Sequence, residues 1–241
     1  MRIYLDNNIL VDIENEVYSL KDFCSVPNAE YFYSEVHMDE LMNGLDAHPE
    51  LKVIRLHTIE RLCCSSYILP GVLKEEMEIF SMSPQNAFDL SMRFKLLHDH
   101  IYQFTRSMNI NRDVFLNSLE LDKREIVNIS PAKILNVLDE RMQEHWGYGI
   151  EVYLEKQEAD QNRTRYNTLF NLLDFVYYWR DESHTARLYD ASHAYFAQIC
   201  DFLVSNDKRM RIKSEAVYSY LGVKTKVMTA DEYLKTEWLL R

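Results

Sequence analysis

The chain has 241 residues, 47% of them hydrophobic and 27% charged, with a formal net charge of −11. A chain of this length buries a full core, and the composition is globular rather than fibrous or low-complexity. The acidic balance excludes coating nucleic acid through a generally basic surface, but not an enzyme with an acidic centre and a local basic grip on phosphate.

Residues 2–6 are mostly apolar and predict a strand buried on both faces, ended by Asp6. Asn7-Asn8 leads into an apolar helical turn, Ile9–Ile13. Asn8 there can either cap the helix or hydrogen-bond the carboxylate of Asp6. After a turn at Pro27-Asn28, Glu30–Tyr33 is a second short strand. Ser34 reads as the cap of a helix over Glu35–Leu45, with Glu35 favoured by the helix dipole and Gly44 near the end. Val36, Glu40 and Asn43 fall on one stripe of that helix, one turn beyond the strand.

From about residue 50 to 187 the period is helical, with segments predicted at Val53–Leu69, Val72–Met82, Ala87–Met108, Arg112–Leu119, Ala132–Tyr148 and Arg163–Trp179. Ser83-Pro84 and Ser130-Pro131 each look like a cap followed by proline at the first helical position. Strand signals are essentially absent there. The organisation expected is an α/β core, 1–50 and 186–241, interrupted by a mostly helical insertion or layer over 51–185. The apolar run Leu169–Trp179 is too short to span a bilayer and carries Asp174.

Tyr189–Asp207 is a helix opening at Asp190, a turn at Cys200-Asp201, and a buried strand, Phe202–Val204, that stops at Ser205-Asn206-Asp207. The basic run Lys208–Lys213 follows, then a short helix from Ser214, a C-cap at Gly222, a strand over Thr225–Met228 and a terminal helical turn. Short strands alternating with helices predict a parallel sheet. Cys24, Cys63, Cys64 and Cys200 have no CxxC spacing, which predicts reduced thiols and a cytoplasmic protein. A strand beginning at residue 2 leaves no room for a signal peptide.

Acidic residues just past two strand ends, Asp6 and Asp207, and a third at a helix start, Asp190, predict a carboxylate cluster assembled by folding. Such a cluster suits a hard divalent cation, whose charge removes the repulsion between the carboxylates. His98-Asp99-His100 is a poor zinc fragment, because adjacent helical residues face apart. His193 reads as a packed histidine, and Asp201 as a turn residue.

Asp6 with Asn8, Ser34 with Glu40, Asp190 with Ala191, and Ser205 with Asp207 stand in an order that resembles the PIN-domain nucleases. The resemblance covers residues 1–46 and 188–235; the helical middle is unmatched, and Asn7 stands where that family often has threonine. It implies a PIN-like parallel central sheet flanked by helices and a metal-dependent, toxin-like endoribonuclease. Asp6, Glu40, Asp190 and Asp207 would be its catalytic carboxylates and ligands to Mg²⁺ or Mn²⁺, with Ser205 and Asn8 orienting them. Lys208 and Arg209 would grip the phosphate of an RNA, or DNA, substrate. The resemblance also allows a homodimer or a neutralising protein partner, and no membrane. The rival enzyme is a haloacid-dehalogenase-like phosphatase, which needs an aspartate where Asn8 stands. A non-catalytic RNA- or protein-binding module is the third reading.

Overall fold

Strand β1 (Arg2–Leu5) forms because Ile3, Tyr4 and Leu5 all have apolar surroundings on offer: each is at most 1% exposed. Burial on both faces marks a central strand and is worth about 1.5–3 kcal/mol for each large apolar side chain. The computed structural model describes residues 1–45, 47–70, 77–93, 112–156, 162–180 and 183–235. They form two compact units: residues 1–101, 196–207 and 225–241, and residues 102–195 and 208–224.

The first unit is α/β. After β1 come α1 (Asn7–Glu14), α2 (Leu20–Cys24), β2 (Glu30–Ser34), α3 (Glu35–Leu45), α4 (Leu51–Cys63), β3 (Ser66–Pro70), β4 (Met77–Ser81) and a helix over residues 84–93, α5. The chain returns to this unit for β5 (Phe202–Val204), β6 (Lys226–Met228) and α13 (Ala230–Lys235). The sheet has six strands in the order β4-β3-β2-β1-β5-β6, parallel except for the β3–β4 pair. Phe23, Tyr31 and Tyr233 tie α2, β2 and α13 together. The Tyr31 hydroxyl donates to the Phe23 carbonyl at 2.8 Å and lies 2.9 Å from that of Tyr233.

Two expectations fail in this unit. The helix predicted over Val53–Leu69 stops at Cys63, and residues 66–70 are β3. The break is at Cys64, at φ +50°, where neither glycine nor proline marks it in the sequence. In place of the end of a helix over Val72–Met82, residues 77–81 form β4, paired antiparallel with β3. The sheet therefore draws two strands from the stretch expected to be all helical.

The second unit is helical, with α6 (Arg112–Ser118), α7 (Lys123–Ile126), α8 (Pro131–Trp146), α9 (Ile150–Lys156), α10 (Asn162–Phe175), most of α11 (His184–Ala197) and α12 (Lys208–Leu221). Helix α8 starts with Pro131 after Ser130 and ends at Gly147, whose φ of +75° suits glycine. Its buried stripe, Ile134, Leu135, Leu138 and Met142, has helical spacing, and α12 packs on α8. The basic run Lys208–Lys213, expected to precede a helix beginning at Ser214, is itself the start of α12. Among the described residues no helix is long and apolar enough to cross a membrane. His98-Asp99-His100 and most of the helix predicted over Ala87–Met108 lie outside them.

All four cysteines are free thiols; Cys63 and Cys200 are buried, Cys24 and Cys64 exposed. Burial pushes the Cys200 thiol up to about 12 and that of Cys63 well above its ordinary value, so neither forms thiolate near neutral pH. Brief native alkylation with iodoacetamide, read by peptide mass mapping, is expected to modify Cys24 and Cys64 and spare the other two. Equal labelling of all four in the folded protein would contradict this packing.

Candidate functional site

The parallel pairing sets Leu5 of β1 beside Val204 of β5, and the Asp6 amide donates to the Val204 carbonyl at 2.9 Å. Asp6 and Ser205 are thus the first residues past the carboxyl ends of two neighbouring strands. From β1 the chain runs outward through β2 and β3 on one side and later fills β5 and β6 on the other. In open α/β sheets the carboxyl ends of the strands at such a reversal of strand order are the usual ligand position.

Asp6 is 5% exposed and is the N-cap of α1. Its Oδ1 accepts from the Asn7 amide at 2.7 Å, and its Oδ2 accepts from the Ser205 hydroxyl at 2.7 Å and from the Asn8 side-chain amide. Of the two roles open to Asn8, the structure takes the bond to Asp6. Ser205 Oγ in turn accepts from the Asp207 amide at 3.1 Å and from Asn8 Nδ2 at 3.0 Å. Asp6, Asn8, Ser205 and the backbone of Asp207 therefore form one hydrogen-bonded unit, with the Asp207 side chain at the surface.

Asn206, which sequence reasoning passed over, locks the β5 end in place. Its amide donates to Asn8 Oδ1 at 3.1 Å, its Nδ2 to Asp12 Oδ2 at 2.7 Å, and its Oδ1 accepts from the Ala230 amide at 3.2 Å. Tyr18 adds its hydroxyl to Asp231 at 3.1 Å. Only position in the Ser-Asn-Asp run hinted at Asn206.

Beneath the strand ends lies a second buried group that the sequence did not flag. His37, 1% exposed, is 2.9 Å from the Leu5 carbonyl through Nε2 and accepts the Ser34 amide on Nδ1 at 3.2 Å. A carbonyl only accepts and an amide N–H only donates, so the ring is the neutral Nε2–H tautomer. Ser34, expected to cap α3, has its Oγ 2.6 Å from the Tyr4 hydroxyl. Burial first, then the charges of Asp6 and Glu40 among others, hold the Tyr4 hydroxyl well above its ordinary value, against the Ser34 hydrogen bond that lowers it. Half-buried Glu40 thus shares with Asp6 an electrostatic influence on the side chain of β1.

Asp190, Lys208 and Arg209 belong to the helical unit. Asp190 is the seventh residue of α11 rather than a residue at a helix start, because α11 begins at His184. Its Oδ2 lies 3.8 Å from Nζ of Lys213, which is completely buried, so Asp190 supplies that cation with a counter-charge. His193 is buried, as expected. Asp201 is a turn residue, accepting from the Arg2 amide at 2.8 Å.

Among the described residues no three His, Cys, Asp or Glu side chains group closely enough to make a ready metal centre. Asp6 and Asp207 past the strand ends and Glu40 on α3 are nonetheless all carboxylates, and hard cations such as Mg²⁺ or Mn²⁺ take oxygen ligands. The chemistry of the donor set fits such an ion. The chain matches no protein-family model, no curated protein and no solved structure.

Proposed function

We propose that the chain is a PIN-like, metal-dependent endoribonuclease whose hydrolytic centre lies at the carboxyl ends of β1 and β5. The observation that carries this reading is Asp6, a buried carboxylate at the point where strand order reverses, oriented by Asn8 and Ser205. Asp6, Asp207 and Glu40 would hold Mg²⁺ or Mn²⁺; when bound, the ion would acidify water and neutralise charge developing on the phosphate.

The chain's own residues supply orientation and charge. The Ser205 hydroxyl and the Asn8 amide fix Oδ2 of Asp6 in one direction by donating to it. Asn206 fixes Asn8, so that the Asn8 amide has one orientation. An amide cannot exchange protons as an acid, which disfavours the phosphatase reading at position 8. Asp190, Lys208 and Arg209 belong to the helical unit, and their part in hydrolysis rests on the sequence reading alone.

Hydrolysis of a labelled single-stranded RNA in Mn²⁺ or Mg²⁺, stopped by EDTA, is the test. Full activity in both Asp6→Asn and Asp207→Asn would end the proposal. Ser205→Ala removes the hydroxyl that donates to Asp6 and accepts from Asp207, and a loss of about 10- to 100-fold in activity or metal affinity is expected. Isothermal titration with Mn²⁺ reads the affinity directly. An unchanged constant would show that Ser205 does not orient a ligand.

A further inference from the structure

The segment after α10 in the helical unit reads Val176-Tyr177-Tyr178-Trp179-Arg180, and two of its aromatic residues have left-handed backbones. Tyr177 has φ +61° and Trp179 φ +50°. Bulky side chains are rarely tolerated there, and a turn built for folding alone would carry glycine or asparagine. Residues held in such conformations concentrate where a protein binds something. Between them Tyr178 is fully buried and donates its hydroxyl to the Ile129 carbonyl at 2.9 Å. One ring anchors the turn, and the rings on either side are partly exposed.

Cations attend both outer rings. Lys123 Nζ stands 3.8 Å from the Tyr177 ring centroid, with the Arg180 guanidinium at 5.7 Å. Lys208 Nζ stands 4.4 Å from that of Trp179. Lys123, Arg180 and Lys208 are all exposed. Asp113 accepts from the Tyr177 hydroxyl at 2.9 Å, which fixes the ring edge, while Lys123 lies over the ring face, so that a base stacking there moves the ammonium from the ring onto its own phosphate. Lys208 also opens α12, a helix with no acidic residue in its first turn, where the helix dipole already favours an anion.

We infer that Tyr177 and Trp179, with Lys123, Arg180 and Lys208, form a platform for single-stranded RNA. Two bases stack on the rings, and the cations beside them take the phosphates. Aromatic rings flanked by cations match the alternation of base and phosphate in an unpaired strand, and stacking tolerates any sequence. A duplex hides its base faces. In a chain of net charge −11, this cationic set gives a polyanion a local landing point. The choice of RNA over DNA rests on the hydrolysis proposed above; the platform itself does not.

Fluorescence polarisation tests it in EDTA, so that nothing is cleaved, with a labelled oligouridylate longer than the roughly 4–16 nucleotides of a typical single-strand site. Trp179→Ala and Tyr177→Ala should each weaken binding by about 5- to 150-fold. Lys208→Gln, a change at an exposed side chain that does not threaten folding, should lower the slope of log Kd against log salt by about 0.7. An RNA duplex should bind more weakly than the single strand. No binding, or binding that ignores both aromatic variants and Lys208→Gln, would overturn the platform. Equal Trp179-dependent binding of oligodeoxythymidylate would overturn RNA as its ligand class. A chain that binds through Trp179 but hydrolyses nothing keeps the platform and loses the nuclease. A chain that cleaves RNA with Trp179→Ala binding unchanged does the reverse.

Discussion

Asp6→Asn is expected to lower RNA hydrolysis by more than the roughly 100-fold upper range for losing a residue that merely orients a ligand. The substitution removes one negative charge and one of the two oxygen donors of residue 6 while keeping the side-chain shape. The helix cap should survive, because asparagine caps a helix about as well as aspartate and its Oδ1 can still take the Asn7 amide. The new Nδ2 then faces two donors, the Ser205 hydroxyl and the Asn8 amide. Ser205 can rotate its proton away. Asn8 cannot turn its amide over without losing the bond from the Asn206 amide to its Oδ1. One net hydrogen bond is lost, about 1–2 kcal/mol. Activity and stability should therefore separate, and urea unfolding beside a cleavage assay measures both. If Asp6→Asn unfolds easily yet retains cleavage in proportion to its folded fraction, Asp6 is a helix cap and nothing more.

That separation bears on what the sequence could convey. The strand ends at Asp6 and Asp207 were legible because short apolar runs stopped by polar residues have few other readings, and β1 and β5 lie where expected. Asn8 was legible only as one of two things, a helix cap or a partner of Asp6, and Ser205 as a partner through the family resemblance; the folded hydrogen bonds decide for both. β3 and β4 were not. Ser66–Pro70 is apolar and short, so periodicity cannot tell it from the last turn of the helix before it. Its identity is set by tertiary pairing, with Tyr33 beside Tyr67 and Ser34 beside Ile68. His37 was invisible for a related reason: its role is a hydrogen bond to a backbone carbonyl thirty-two positions away, which no local pattern encodes. Asp190 was misplaced because the small residues Ala191 and Ala194 resemble a first turn, whereas α11 already begins at His184. Its pairing with the buried Lys213 could not be foreseen, since lysine in a basic run reads as surface.

The largest stability effect is expected from Asp174→Asn. Asp174 is fully buried on α10, and its Oδ2 accepts from Arg112 of α6 and Arg187 of α11, each at 2.9 Å. The side chains of the two arginines are only 15% and 8% exposed. Three charges have been taken out of water, and the carboxylate is what makes the two guanidinium groups tolerable there. Asparagine keeps the volume but leaves both cations without that anion, a loss of about 3–5 kcal/mol. Urea unfolding followed by tryptophan fluorescence reports mainly on this unit, because two of the three tryptophans, Trp146 and Trp179, lie in it. Removing the arginines as well, as Arg112→Met and Arg187→Leu with Asp174→Leu, should recover much of the loss, because buried ion clusters stabilise little over well-packed apolar groups. The same carboxylate residue accepts the Tyr177 amide on its backbone carbonyl at 3.2 Å, at the start of the turn that bears Tyr177 and Trp179. Asp174→Asn should accordingly loosen that turn before the unit unfolds, seen as oligouridylate affinity falling at urea concentrations where the helices persist. A cost below about 1 kcal/mol would mean that water reaches the arginines and that the cluster holds nothing in place.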